Sequence, residues 1–330
     1  KREQETEQVK KSAKKQDGFD VKRTGDATVV FIGLPSVGKS TLLNRLTGSK
    51  SAIGAYQFTT LTVVPGVMNY RGARIQVLDL PGIIKGASTG KGLGKRILSV
   101  ARSADIVLLV LDVFQPYHED VLINELGNIG IRLNQTPPDI VIEKSTTGGI
   151  AVAQQKKLKK MSEKLLKEIL NIYGYTSARV VIKEDIESEQ LIDFINGNKT
   201  YAKGITILNK IDLVDEKFLK DVSKKLKTDF IPTSADSNKN INQLKERIYN
   251  ELKFIRIYLR PKGGETDFKE PLIVRKGNTV ADVCNKLHRN MKKDFRFGLV
   301  WGKSVKFGGQ RVSLNHVLID EDVLTVVKKR

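Results

Sequence analysis

Thr28-Val-Val-Phe-Ile32 runs directly into Gly33-Leu-Pro-Ser-Val-Gly-Lys-Ser40. The first stretch is a continuous, largely β-branched apolar run, which suits a strand buried on both faces. The second fits G-x-x-x-x-G-K-[ST]. Beyond it Leu42, Leu43 and Leu46 have helical spacing, and Gly48 is placed to cap the helix. Strand, glycine loop, helix is the context that a phosphate-binding loop requires. Along Gly33, Pro35, Ser36, Val37, Gly38 and Thr41, the backbone N–H groups from about Ser36 onward wrap α- and β-phosphates, and the helix N-terminus adds its dipole. Gly33 and Gly38 permit the turn and the close approach. Lys39 puts a cation on the β- and γ-phosphates, and Ser40 offers an oxygen to Mg²⁺. The competing reading is an ordinary glycine-rich turn with a stray lysine; the flanking strand and helix argue against it.

Working outward, four more apolar runs read as buried strands: Ile75–Leu80, Asp105–Val113, Gly204–Leu208 and Phe230–Thr233. Helical patterns lie between them at Leu93–Ala104, Glu119–Ile129, Glu216–Leu226 and Ile241–Phe254. Such alternation predicts an α/β fold, a parallel-rich sheet with helices on both faces. Residues 131–203 interrupt it with strands at Asp139–Glu143, Gly149–Ala153 and Ala178–Lys183 and helices at Lys156–Tyr173 and Ser188–Asn196. A structureless loop of that length is improbable in a compact domain, so this stretch is an inserted α/β domain. After Phe254 come short strands at Arg256–Leu259, Pro271–Val274, Gly298–Trp301 and Val323–Val327 and a helix at Thr279–Lys293, a small α+β module. The expected division is therefore a tail at 1–26, a nucleotide-binding domain at 27–130 and 204–254, the insert at 131–203, and the module at 255–330.

Three further motifs sit at predicted strand ends. Asp79-Leu-Pro-Gly82 offers a carboxylate for Mg²⁺ and a backbone N–H at Gly82 for the γ-phosphate. In Asn209-Lys210-Ile211-Asp212, Asp212 can accept hydrogen bonds from the guanine N1–H and exocyclic amine, whereas adenine would leave that carboxylate unsatisfied. Asn209 and the Lys210 stem would steady base and loop, and the backbone of Thr233-Ser234-Ala235 can touch the base. Each motif alone is common turn chemistry. All of them in order, at the edge where open α/β sheets bind ligands, imply GTP over ATP. Between the first two motifs, Phe58-Thr-Thr-Leu61 reads as a polar loop with two candidate hydroxyls for Mg²⁺ while γ-phosphate is present, an order–disorder switch.

The 330 residues carry 57 Lys+Arg against 37 Asp+Glu, a net charge of +20. A balance this basic points to a polyanionic partner or to a lysine-rich solubilising surface. The module at 255–330 contributes 17 Lys/Arg against 8 Asp/Glu. No apolar run approaches the roughly 20 residues of a membrane-spanning helix, so membrane insertion is not expected. The opening KREQETEQVK has no apolar core of a secretory signal. The single cysteine, Cys284, excludes an internal disulfide framework and a multi-cysteine zinc site, and fits a cytoplasmic setting.

GLPSVGKSTLLNRLTG, YQFTTLTVVPGV, DLPGIIKGASTGKGLGKRILSVAR, GIRLNQTPPDI, LNKID, RIYLRPKG and VWGKSVKFGGQRV together resemble the developmentally regulated GTP-binding (DRG) subfamily of Obg/HflX-like translation-factor GTPases. The resemblance spans nearly all of residues 20–330. It implies that the insert is ribosomal-protein-like, that 255–330 is a TGS domain of β-grasp fold in contact with RNA, and that the tail is the remnant of a helical domain. It favours Thr60 as the switch ligand. It also implies GTP and GDP as ligands, a ribosome or RNA as partner, and a regulatory partner protein.

One departure matters. The residue after Asp79–Gly82 is Ile83, which cannot orient an attacking water by hydrogen bonding. Slow intrinsic hydrolysis is expected, assisted by the Thr60 backbone, a partner, or K⁺. Similar GTPases hold K⁺ partly through an Asn in the loop where this chain has Ser36, which weakens that route. Two functions follow: a GTP-hydrolysing switch with Lys39, Thr60 and Gly82 at the reaction, or an RNA-binding module whose nucleotide is structural. Lys85, Lys91, Lys95, Arg96 and Arg102 form a basic cluster that reads equally well as an RNA contact or a solvated helix face. Trp301 is expected in the core, and Cys284 as inert packing.

Overall fold

The computed structural model describes residues 25–48, 56–58, 61–80 and 100–329. Thr60, Gly82, Ile83, the tail to residue 24 and Lys85, Lys91, Lys95 and Arg96 lie outside them. In chain order the elements begin β1 (Ala27–Gly33), α1 (Lys39–Thr47), β2 (Tyr56–Phe58), β3 (Leu61–Tyr70), β4 (Ala73–Asp79), β5 (Ile106–Asp112) and α2 (His118–Asn128). They continue with β6 (Ile131–Leu133), β7 (Ile140–Lys144), β8 (Ile150–Gln154), α3 (Glu163–Ile172), β9 (Ala178–Ile182), α4 (Ser188–Asn196) and β10 (Thr200–Asn209). The remainder is α5 (Glu216–Ser223), β11 (Phe230–Pro232), α6 (Ile241–Glu251), β12 (Phe254–Leu259), β13 (Leu272–Arg275), α7 (Val280–Leu287), β14 (Phe295–Trp301), β15 (Gln310–Val312) and β16 (Val323–Lys328).

Two compact units divide the described residues: one takes those up to 80, 103–122 and 204–329, the other 100–102 and 123–203. In the first, the main sheet has the order β11-β10-β5-β1-β4-β3-β2. The pairs β1–β4, β1–β5 and β10–β11 are parallel. Every residue of β1 is buried, as its unbroken apolar run requires. Two antiparallel strands extend the sheet, β3 on β4 and β2 on β3. Phe58 and Leu61 are thus paired strand residues, a correction to the loop expected there. The apolar stripe of α1 packs Leu42, Leu43 and Leu46 against Phe31, Met68 and Val77.

The same unit contains a five-stranded sheet of order β13-β12-β16-β14-β15, with β12–β16 parallel. Val280, Val283 and Cys284 of α7 pack on Ile257, Val300 and Leu324 from one face. Trp301 is absent from that core, contrary to expectation. The small sheet is fastened to the main one: Ile273 of β13 joins the core containing Ile75 and Phe254. Arg275 pairs with Asp105, and Lys286 Nζ lies 2.9 Å from Asp26 Oδ1. Asp26 precedes β1 whereas Gly33 ends it, so these fastenings sit at the edge of the main sheet remote from the phosphate-loop sequence.

In the second unit, β7 and β8 flank β9, antiparallel and parallel respectively. Leu166, Ile169 and Leu170 of α3 and Leu191 of α4 pack on Val180 and Ile182. Helix ends differ from those read in the sequence. Asp185 Oδ1 accepts hydrogen bonds from Lys159 and Lys160 N–H, holding that stretch outside the helix. Ser162 then caps α3 through Leu165 N–H. Lys253, at φ 53°, separates α6 from β12, so Phe254 begins a strand rather than ending a helix. After Leu287, His288 is extended, which ends α7 six residues before the expected Lys293.

Candidate functional site: a nucleotide-binding edge

The carboxyl ends of β1, β4, β10 and β11 carry the predicted residues that lie among the described ones. After β1 the chain enters left-handed backbone at Ser36 (φ 64°) and Gly38 (φ 90°), the geometry that turns successive N–H groups toward an anion. Gly38 tolerates no side chain, since an added Cβ would lie 2.3 Å from Asn209 Nδ2. Val37 is buried beneath the loop, while Pro35, Ser36 and Ser40 are exposed. Lys39 is buried and donates from Nζ to the carbonyls of Gly33 (3.1 Å) and Leu34 (2.9 Å). Burial holds its pKa below the ordinary lysine value, against the opposing pull of Asp79.

Ser40 Oγ donates to Asp79 Oδ2 at 2.6 Å. The other oxygen, Asp79 Oδ1, is buried without a hydrogen-bond partner. Burial raises the pKa of this carboxyl, and the Ser40 bond and Lys39 oppose the rise. An orphaned carboxylate oxygen beside a serine hydroxyl is a donor set of the hard kind that Mg²⁺ takes, so these residues fit that ion.

At the end of β10, Asn209 is 1% exposed and ties two loops together. Its Nδ2 donates to Val37 O at 2.9 Å, and its Oδ1 accepts from Ala235 N at 3.1 Å. Lys210 has left-handed backbone (φ 67°), and its Nζ lies 2.7 Å from Asp112 Oδ2. Asp212 is exposed, and its carboxylate takes no hydrogen bond among the described residues. Ser234 is fully buried, with Oγ accepting from Ser237 N.

Sequence reasoning missed two supports. Asp112 anchors Lys210, and its signal was a carboxylate closing the apolar strand 105–113. Arg45 donates from Nε to Ala235 O at 2.7 Å, and only packing reveals that contact. Arg102, from the basic cluster, donates to Asn198 O and Thr200 Oγ1 within its own unit. Among the described residues no helix is long and apolar enough to cross a membrane.

Comparison with known proteins places the chain among GTP-binding proteins. Residues 28–144 match the family model described as 50S ribosome-binding GTPase, and 147–254 match the C-terminal region of that domain. Residues 255–328 match the TGS domain. An uncharacterized GTP-binding protein of Methanocaldococcus jannaschii is 53% identical over 95% of this chain and 81% of its own length. Developmentally-regulated GTP-binding protein 1 of Xenopus laevis is 45% identical over 95% of this chain and 85% of its own. Ribosome-interacting GTPase 1 of Saccharomyces cerevisiae is 42% identical over 94% of this chain and 85% of its own.

Proposed function

The chain belongs to the developmentally regulated GTP-binding (DRG) family, and from that premise we propose that it is a cytoplasmic GTP-hydrolysing switch acting on ribosomes or RNA. One observation carries the reading. Asn209 bonds the phosphate loop at Val37 and the base-side loop at Ala235, so phosphate and guanine recognition form one assembly.

The chemistry is attack of water on the γ-phosphate, driven by positioning and charge neutralisation. Lys39 leaves its two loop carbonyls to reach the β- and γ-phosphates. The N–H groups from Ser36 to Thr41 hold the α/β end. Ser40, Asp79 and Thr60 would hold Mg²⁺, which when bound neutralises charge on the phosphates. Gly82 offers its N–H to the γ-phosphate, and Asp212 reads the guanine edge. With Ile83 where a water-orienting glutamine would serve, intrinsic turnover is slow and waits on a ribosome, a regulatory protein or K⁺. The yeast relative's name and the net charge of +20 support a ribosomal or RNA partner.

Multiple-turnover GTP hydrolysis with and without ribosomes tests the proposal. A slow basal rate stimulated by ribosomes is expected. Tight GTP binding with no turnover under either condition would instead favour a structural nucleotide. Running the assay in KCl and in NaCl tests the cation, since equal rates exclude K⁺ as a catalytic aid.

A further inference from the structure

The face of the C-terminal sheet turned away from α7 carries three arginines in an unusual setting. Strand alternation places Ile257, Val300 and Leu324 under α7, so Tyr258, Phe297, Leu299, Trp301 and Thr325 point the other way. On that face the Arg311 guanidinium carbon lies 4.5 Å from the Phe297 ring centroid, and that of Arg296 lies 5.9 Å from the same centroid. The Arg260 guanidinium carbon lies 4.9 Å from the Trp301 ring. All three arginines are exposed, and none forms an ion pair among the described residues.

Arg256, on the same strand as Tyr258, shows the contrast. Its guanidinium meets Asp320 at 2.7 Å and Glu321 at 2.8 Å, so its charge is consumed internally. An aromatic ring orients a guanidinium without neutralising it. Arg260, Arg296 and Arg311 are therefore planar forks whose full charge faces outward. Only Arg260 spends one N–H internally, from Nε to Gly264 O at 3.0 Å. Phe297 and Trp301 stand four residues apart on one strand, so the two ring-anchored groups are spread over about 13 Å. A linear polyanion fits that layout better than a single small anion.

We propose that this face binds the phosphate backbone of single-stranded RNA. The inference rests on the RNA reading above and gives it a location. Two features favour RNA over an acidic protein. The guanidinium fork matches phosphate in bidentate fashion, and flat arginines over rings provide planes on which unpaired bases stack.

The test is fluorescence anisotropy of the full chain with a short labelled single-stranded RNA across a range of KCl. The variant R260Q/R296Q/R311Q is expected to bind about tenfold more weakly or worse, and the slope of log affinity against log salt should flatten by about 2. GTP affinity should be unchanged. A variant with the same charge removed from the nucleotide domain, K217Q/K220Q/K225Q, should keep both affinity and slope within about twofold. Should the glutamine variant misfold by circular dichroism, R260K/R296K/R311K keeps the charge while losing the forks. It should lose affinity while retaining most of the slope, and unchanged affinity there overturns the proposal. Equal RNA binding by wild type and the glutamine variant overturns the assigned face alone. Equal losses in both glutamine variants would mean bulk charge, and displacement of RNA by polyglutamate at equal charge would mean an acidic protein partner. Absence of RNA binding by the wild type would overturn the RNA reading itself, and this proposal with it.

Discussion

Lys39 holds two carbonyls of its own loop, so its ammonium is already desolvated and poised where a triphosphate would replace those partners. Lys39→Ala is expected to weaken GTP binding or hydrolysis by about 10²-fold or more, the scale of losing one preorganised charge. Wild-type kinetics would refute the role. Asp79 gives a pH-dependent counterpart. Burial raises its pKa, so the folded chain binds the proton more tightly than the unfolded chain. Ionised Asp79 therefore costs stability above the raised pKa, and the cost is relieved as pH falls through it toward the ordinary carboxylate value. Asp79→Asn should raise the Tm of the nucleotide-free protein at neutral pH while weakening Mg²⁺-dependent GTP binding. A lower Tm measured by calorimetry would contradict this account of the carboxylate. The strand-end placement of Gly33–Ser40 and Asn209–Asp212 was legible because their spacing is set by backbone geometry that any such loop must adopt. Asp112 was not, since its partner Lys210 is 98 positions away and only strand adjacency brings them together.

At the scale of elements, apolar periodicity located the helices and local polar chemistry moved their ends. α3 begins at Glu163 because Ser162 caps it and Asp185 holds the two lysines before it, a partner that periodicity does not reveal. α7 begins with a side-chain cap, in which Thr279 N–H and its hydroxyl both donate to Asp282 Oδ2. Those bonds, the backbone one foremost, hold the Asp282 pKa below its ordinary value. The stabilisation is complete above the ordinary carboxylate pKa and is lost as pH falls through the depressed one. Thr279→Ala should cost about 1 kcal/mol in urea denaturation near neutral pH, and the difference from wild type should shrink in acid. A difference that persists unchanged below the depressed pKa would show that the cap is not its source. The antiparallel β2 and β3 were not among the strands expected from the sequence, and β3 runs through Pro65-Gly66. In the sheet Pro65 pairs opposite Leu78, and Gly66 admits Thr47 and Leu43 of α1.

For the molecule as a whole, the sequence did not reveal how the C-terminal sheet is joined to the main one. Ile273 lies in the small sheet yet packs in the core of the nucleotide-binding one. Gly72, at φ 82° in the β3–β4 turn, meets Pro271 so closely that an added Cβ would fall 2.6 Å from its ring. Hydrophobic patterning assigned Ile273 to its own sheet because periodicity records that a residue is buried, not against what. Ile273→Ala should therefore destabilise both sheets together, by about 2–5 kcal/mol, in a single calorimetric transition. Two separated transitions, with only the C-terminal one shifted, would show that the join carries no stability. The nucleotide-binding edge lies at the other end of β1 from this join, so its specificity is best tested without disturbing it. That test is a calorimetric titration of wild type and Asp212→Asn with GTP, ATP and xanthosine triphosphate in Mg²⁺. The wild type should bind GTP and reject ATP, and the variant should shift its preference to xanthosine triphosphate. A wild type that takes either purine alike, or a variant whose preference stays with GTP, would contradict guanine recognition by Asp212.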